Sequence, residues 1–399
     1  MRGALTVLLA VHGAIHVVGF LKWSKLVPVP QLGGRTLVSF SGAGERVFAL
    51  GWLVVVTVLL GAAMFRVVRH ESWWMLALGG VLLSQALIVI AWSDAKFGTI
   101  ANALVLVAAL ASAAHVRFSH RVEAEARALL ARSAGSATIL ERAEIDGLPL
   151  PVQRWLERSG VVGRERVRTV RLKQRGDLRT GPDAAWMPAR AEQYFSVEPP
   201  AFVWKVDATM KGVLPIAGRD KYVDGRGNML IKAASLVNVV DAADEKIDHG
   251  SMLRFLGEIV WFPAAATSRY LAWEALDGTR ARATMRYGGL EASAVFTFDE
   301  HGRVVGMRAE RYLGGGADAT LTPWVVACSE FRRFEGIEVP SRGEVGWELA
   351  SGYFGYYRWE ILDVQLNRAE LYGRDSAHRE RALEPVARSA TSRSEGASR

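Results

Sequence analysis

The chain has 399 residues, a formal net charge of +8 and one cysteine, Cys328, and half of its residues are hydrophobic. A single cysteine excludes an intrachain disulfide and a cysteine-built metal knuckle. The basic balance suits anionic lipid head groups, whereas nucleic acid is disfavoured because no compact Lys/Arg run with interleaved aromatics is present. The mean hydropathy of +0.12 averages two unlike parts, with the apolar excess lying before residue 118.

Four apolar runs fill residues 1–118, each near the ~20 residues a helix needs to cross the ~30 Å hydrocarbon core. The first is 4–21. It is longer than a signal-peptide core and is followed by Lys22-Trp23 without a small-residue cleavage site, so it reads as an uncleaved span. A loop over 22–45 carries Pro28, Pro30 and Gly33-Gly34, all helix-breaking. The second span is Val47–Phe65, and a charged turn (Arg66, Arg69, His70, Glu71) follows it. Trp73-Trp74 opens the third span and Trp92 closes it, at the interfacial depths indoles prefer. The short knot Ser93-Asp94-Ala95-Lys96 is the turn into the fourth span, Phe97–Val116. Four spans place both ends of this unit on one side. That side holds Arg2, Arg66, Arg69, Arg117, Arg121, Arg127 and Arg132, against Lys22, Lys25, Arg35, Arg46 and Lys96 opposite. Seven against five points to a multi-pass protein of the cell (inner) membrane with its aqueous part in the cytoplasm.

Residues 119–147 read as a helical linker: 119–133 are strong helix formers and Gly135-Ser136 ends them. An amphipathic helix follows over Val152–Arg158, with Val152, Trp155 and Leu156 on one face. From Val167 to about Leu366 the hydrophobic period becomes two. The spacing predicts strands over Thr169–Arg175, Ala189–Val197, Phe202–Met210, Asn228–Val240, Tyr270–Ala275, Arg280–Tyr287, Glu291–Phe298, Val304–Tyr312, Trp324–Phe334, Ile337–Leu349 and Tyr353–Leu366. Turn dipeptides such as Asp224-Gly225 and Gly288-Gly289 separate several of them and imply antiparallel neighbours. One helix interrupts the series, over about Ser251–Trp261. The expected fold class is thus a four-span α-helical membrane bundle joined to an α+β domain over 148–370. That domain has a curved, mainly antiparallel β-sheet covered by one or two helices. Residues 371–399 have too few apolar side chains to order themselves and read as a disordered tail.

Several stretches resemble an uncharacterised bacterial membrane-protein family. They are His12-Gly13-Ala14-Ile15-His16, the run Ser93–Asn102, Pro151-Val152-Gln153-Arg154-Trp155, Ala191–Phe195, Gly218-Arg219-Asp220-Lys221-Tyr222, Trp261-Phe262-Pro263 and Leu321-Thr322-Pro323-Trp324. The resemblance covers most of residues 1–366. It implies a four-helix membrane unit followed by a β-rich domain of unknown function, and no activity. A curved sheet under a helix is also similar to periplasmic lipoprotein carriers, as an analogy of fold.

Four groups of residues stand out chemically. His12 and His16 share one face of the first span, where ionisable groups mark functional sites by default. With Asp94, Gln85 or His115 they could hold a metal ion, or they could instead hydrogen-bond neighbouring helices. Asp94 and Lys96 either solvate the turn and cap the fourth helix or, with Asn102, form a head-group or ion site. Trp204, Tyr222, Trp261, Phe262 and Trp324 belong to an aromatic set that forms either the core of the sheet or an apolar ligand site. Arg171, Lys173 and Arg175 alternate along the first strand and face either solvent or anionic lipid. The acidic run Asp241, Asp244, Asp248 with His249 reads as a loop matching no metal loop. No nucleophile elbow, phosphate loop, zinc-protease motif or dinucleotide fingerprint is present, and no cofactor is evident. The reading that results is a membrane protein binding a lipid or other apolar molecule. The alternatives are a membrane-surface enzyme on a lipid-like substrate, or a protein-binding sensor or scaffold.

Overall fold

The computed structural model describes residues 2–133 and 137–373. The Gly135-Ser136 helix stop and the tail from 374 onward lie outside these. The chain forms two compact units. One holds the residues up to Arg121 with 213–217 and 232–239, and the other holds the remainder.

The helical unit contains α1 (Arg2–Ser24), α2 (Gly42–Val67), α3 (Trp73–Ile90), the short α4 (Trp92–Ala95) and the first part of α5 (Gly98–Arg132). α2 starts earlier than its apolar run because Ser41 caps it, the hydroxyl accepting from Gly44 N–H. α1, α2, α3 and α5 are each long and apolar enough to cross a membrane. They pack through Leu9, Trp52, Val55, Leu59, Val81, Ile88 and Val105. At Gly19 a Cβ would fall 2.5 Å from the Trp52 ring, so a small residue is what lets α1 and α2 approach.

The second unit is built on thirteen strands: β1 (Thr169–Leu178), β2 (Met187–Ser196), β3 (Ala201–Met210), β4 (Leu214–Val223), β5 (Arg226–Ala233), β6 (Val237–Ala242), β7 (Leu271–Ala275), β8 (Arg280–Tyr287), β9 (Leu290–Phe298), β10 (Val304–Leu313), β11 (Thr320–Phe334), β12 (Ile337–Leu349) and β13 (Gly352–Leu366). They form one open sheet in the order β6-β5-β4-β3-β2-β1-β13-β12-β11-β10-β9-β8-β7. β1–β6 meander outward from the centre. The chain then crosses to the far edge, and β7–β13 meander back until β13 closes antiparallel on β1. α6 (Leu150–Ser159) packs beside the sheet, and α7 (Glu245–Glu258) lies in the crossover.

The sheet curls around α7. Arg254 stacks on Phe202 of β3, while a Cβ at Gly257 would meet Met307 of β10. Those strands are six steps apart, ~29 Å in a flat sheet at ~4.8 Å per step, and a helix is only ~10–12 Å across. The β4–β5 and β8–β9 turns even touch, since a Cβ on Gly225 would lie 3.1 Å from Gly288 Cα.

Two strand assignments change. Asn228–Val240 is not one strand but the β5–β6 hairpin. Its turn uses Ala234 and Ser235 at positive φ (49° and 58°), so no glycine announced it. β4 went unread because Pro215 and Gly218 interrupt its pattern. α7 also begins earlier than its apolar face: Asp244 caps it by accepting from Ile247 N–H. Asp244, Asp248 and His249 of the acidic run therefore open a helix while Asp241 lies on β6, and Asp248 anchors β5 through Gly227 N–H at 2.6 Å.

Candidate functional site

Two polar clusters are buried, one in each unit. In the helical unit, α1, α3 and α5 turn their few polar side chains inward. His12 Nε2 donates to Asn102 Oδ1 at 2.7 Å, Asn102 Nδ2 to Gln85 Oε1 at 3.0 Å, and Gln85 Nε2 to Thr99 Oγ1 at 3.2 Å. His16 Nδ1 meets the His12 carbonyl at 2.7 Å and Nε2 meets Ser84 Oγ at 2.7 Å. A carbonyl can only accept, so Nδ1 carries the His16 proton and, in the neutral ring, Nε2 accepts from Ser84. The two imidazoles stand edge to face, 4.7 Å apart.

His12, His16, Gln85 and Asn102 are thus brought together, as hydrogen-bond partners between helices. Asp94 and Lys96 are not. The Asp94 carboxylate accepts from Gly33 and Gly34 N–H at 3.1 and 2.8 Å, tying down the loop after α1, and it does not cap the fourth helix. Lys96 Nζ lies over the Phe97 ring. His115 bonds Ser235 Oγ, so neither it nor Asp94 joins the histidine pair. Among the described residues no three His, Cys, Asp or Glu side chains gather to hold a metal.

The second cluster lies between α7 and the sheet. Arg254 donates to Asp220 Oδ2 on β4 at 2.7 Å and to Glu258 Oε1, one helical turn on, at 2.8 Å. Gln193 of β2 donates to the other Glu258 oxygen at 2.7 Å. Gln174 Oε1 on β1 accepts from both Trp204 Nε1 and Tyr357 OH, at 3.2 and 3.0 Å. Burial pushes the Glu258 carboxyl above its ordinary range, against the pull of the Arg254 charge. Burial also opposes the Arg254 charge, but the facing Glu258 and Asp220 carboxylates overcome it and hold the guanidinium firmly protonated. Asp220 Oδ1, Gln193 Oε1 and Gln174 Nε2 are buried without a protein hydrogen-bond partner among the described residues. The sequence reading did not single out this cluster. Its available signal was the Arg254/Glu258 spacing of four beside the apolar stripe of α7.

The aromatic candidates mostly fill the core. Phe262 packs on Phe195 with centroids 4.8 Å apart, Trp261 on Trp359 at 5.2 Å and Tyr222 on Phe202 at 6.3 Å. Trp324 donates to Tyr356 OH at 3.0 Å beneath Arg311. Trp204 is half-buried and stacks under Arg254 beside the charged cluster.

The basic strand is corrected further. Lys173 is only 4% exposed and its Nζ sits over the Tyr372 ring. Arg171 donates to Gln365 Oε1 and the Leu371 carbonyl, and Arg175 pairs with Glu360 at 2.8 Å. Leu371 and Tyr372, read as the start of a free tail, lie across β1, and Tyr372 OH donates to the Arg171 carbonyl at 3.1 Å. A covered, buried lysine cannot serve a head-group surface.

The second unit is therefore an open antiparallel β domain curled around one helix. The chain belongs to the family of unknown function DUF6544, which matches residues 138–359, over half of its length. No curated protein matches the chain in sequence. Among solved structures it is similar to a DUF1329 family protein from Desulfovibrio piger, at 10% identity over 58% of this chain and 94% of that one, TM-score 0.33. It is also similar to a LolA superfamily protein from Nitrosomonas europaea, at 11% identity over 55% and 95%, TM-score 0.27. A third likeness is a domain from Vibrio parahaemolyticus described as an outer membrane lipoprotein-sorting protein domain, at 9% identity over 52% and 88%, TM-score 0.28. At these identities and scores they are likenesses alone.

Proposed function

We propose that the protein is anchored in a bilayer by α1, α2, α3 and α5 and that its sheet unit binds a lipid or another apolar molecule. The observation that carries the membrane part is the inverted polarity of the helical unit. Val7, Val11, Ile15, Val47, Leu82, Ile100, Leu104 and Val107 face outward, while His12, His16, Ser84 and Asn102 are buried. In water this arrangement would expose a large apolar surface, and in hydrocarbon it satisfies both classes. The ligand part is supported by the interior of the curled sheet. There, the core that holds Phe195, Phe202, Tyr222 and Phe262 lies beside a few buried polar groups, among them atoms of Gln174, Gln193 and Asp220 that have no hydrogen-bond partner among the described residues. Apolar surroundings with a small number of placed polar atoms are what ligand sites favour.

Carbonate-washed membranes should retain the full-length protein in the pellet, and release into the supernatant would overturn the anchoring. Protein purified in mild detergent should carry a stoichiometric apolar molecule detectable by mass spectrometry. Gln193→Leu should lose it while the fold persists. An empty wild-type protein would remove the ligand half of the proposal.

A further inference from the structure

We infer that the tips of the β3–β4 and β5–β6 hairpins are an interfacial wedge that inserts its aliphatic side chains into the bilayer spanned by the helices. This rests on the membrane reading above and adds a second contact surface to it.

The wedge is visible first as misplaced apolar surface. Val213, Val237 and Val239 are 59%, 64% and 61% exposed, and Leu214 and Leu236 beside them are exposed as well. β6 is the edge strand of the sheet. An aqueous edge strand is normally guarded by charge or proline, because its open backbone and apolar side chains recruit other chains. Here Val237 and Val239 stand exposed near the turn, beside Asn238, and the one charge on the strand, Asp241, lies toward its far end.

The second observation is where these residues belong. Segments 213–217 and 232–239 are part of the compact unit formed by the helices, although the rest of β4, β5 and β6 is not. Ser235, at the hairpin turn, is buried and bonds His115 Nδ1 on α5 at 3.2 Å. His115 lies seventeen residues beyond Gly98, where α5 begins. At 1.5 Å per residue that is ~26 Å, close to the full ~30 Å hydrocarbon thickness. The turn is thus docked at the level where the fourth span leaves the hydrocarbon. The same end of the bundle holds Arg66 stacked on Trp73 at 4.6 Å, an arginine–indole pair suited to an interface. The apolar tip is thus held beside the helices at that level, and the occupant it commits to is the bilayer.

The third observation is charge. Lys211 sits at the β3–β4 turn, and Lys232 donates to Asn238 Oδ1 at 2.6 Å in the β5–β6 hairpin. Lysines flanking exposed aliphatics give the mixture that binds in the head-group region, with the stems in apolar surroundings and the ammonium groups among anionic head groups.

The test uses the full chain in vesicles of phosphatidylcholine and phosphatidylglycerol, on a Cys328→Ala background. A nitroxide is attached at Val237→Cys, at Ile100→Cys on the outward face of α5, and at Glu300→Cys in the exposed β9–β10 turn. The readout is the ratio of collisions with oxygen to collisions with a water-soluble nickel chelate. The label at 237 should resemble that at 100, with a ratio several-fold above that at 300. A label at 237 matching 300 while 100 reads lipid would overturn the wedge and leave the spans standing. A label at 100 that also matches 300 would overturn the membrane reading and the wedge with it. Val239→Cys reports the same surface should Val237→Cys fail to fold.

Discussion

The two units bury polar groups in different chemical states. In the helical unit the interior polar groups are two imidazoles, two amides and two hydroxyls, joined in chains with no carboxylate or guanidinium among them. Under the sheet they include a guanidinium and two carboxylates, within an apolar core. The difference follows from what surrounds each interior. On the membrane reading proposed above, hydrocarbon on the outside would remove the hydrophobic drive between helices, leaving hydrogen bonds and close packing to hold them. A sheet that faces water has a strong drive to bury apolar surface, and it can tolerate the desolvation of a well-bonded ion cluster.

The largest test of this contrast is Arg254→Met, which leaves the Asp220 and Glu258 carboxylates without their cation. It should cost ~3–5 kcal/mol, read by urea unfolding followed through tryptophan fluorescence. Adding Asp220→Asn and Glu258→Gln should recover much of the loss, because the buried charges then vanish together. A cost below ~1 kcal/mol for the single change would mean that these carboxylates are not desolvated.

The pH dependence sharpens the same point. Burial raises Glu258, so folding makes its ionised form less favourable than in the unfolded chain, even beside Arg254. Its stabilising contribution is complete below the ordinary glutamate range, ~4.3, and is lost as pH rises through the raised folded value. Glu258→Gln keeps a neutral group at every pH. Its stability relative to wild type should therefore climb as pH increases from that range, by no more than ~1.4 kcal/mol per pH unit. A difference that stayed flat or fell across this window would contradict a raised folded value.

Gly225→Val should cost ~1–3 kcal/mol. The residue combines a φ of 77° with the close approach to Gly288 that joins the two wings of the sheet. Gly278→Ala, where a Cβ meets nothing within 4 Å, should stay within ~0.5 kcal/mol, both changes being read by the same urea unfolding.

The helical unit should respond more weakly. Ser84→Ala removes the partner of His16 and should cost ~0.6 kcal/mol, and at most ~1.7, in a dodecyl sulfate titration of mixed micelles followed by helicity. A loss as large as that of Arg254→Met would erase the contrast. Smallest of all is Ile100→Ala on the outward apolar face of α5, expected within ~0.5 kcal/mol, whereas an isoleucine in a soluble core would lose ~2–5.

Much of the architecture follows from local pattern. Runs of about twenty apolar residues imply helices long enough to span a bilayer, because every backbone polar group in hydrocarbon would need an internal partner. A strict two-residue period implies strands with one buried face. Both are properties of a short window, so the four helices and most of the strands were legible. Where the window carried no mark, the reading failed: the turn at Ala234-Ser235 has no glycine, and β4 contains Pro215 and Gly218.

The partners could not be read in this way. His12 meets Asn102 across ninety positions and Arg254 meets Asp220 across thirty-four, at distances set by helix packing and by the curl of the sheet. Lys173 belongs to an alternating basic strand that any window would leave exposed, yet Tyr372, some two hundred residues later, lies across it. The aromatic residues were legible as a class, but only the tertiary structure decided that most of them pack against one another. Periodicity is set by neighbours along the chain. Burial and pairing are set by whatever the fold brings opposite, and for this protein that includes the two hairpin tips grouped with the helices.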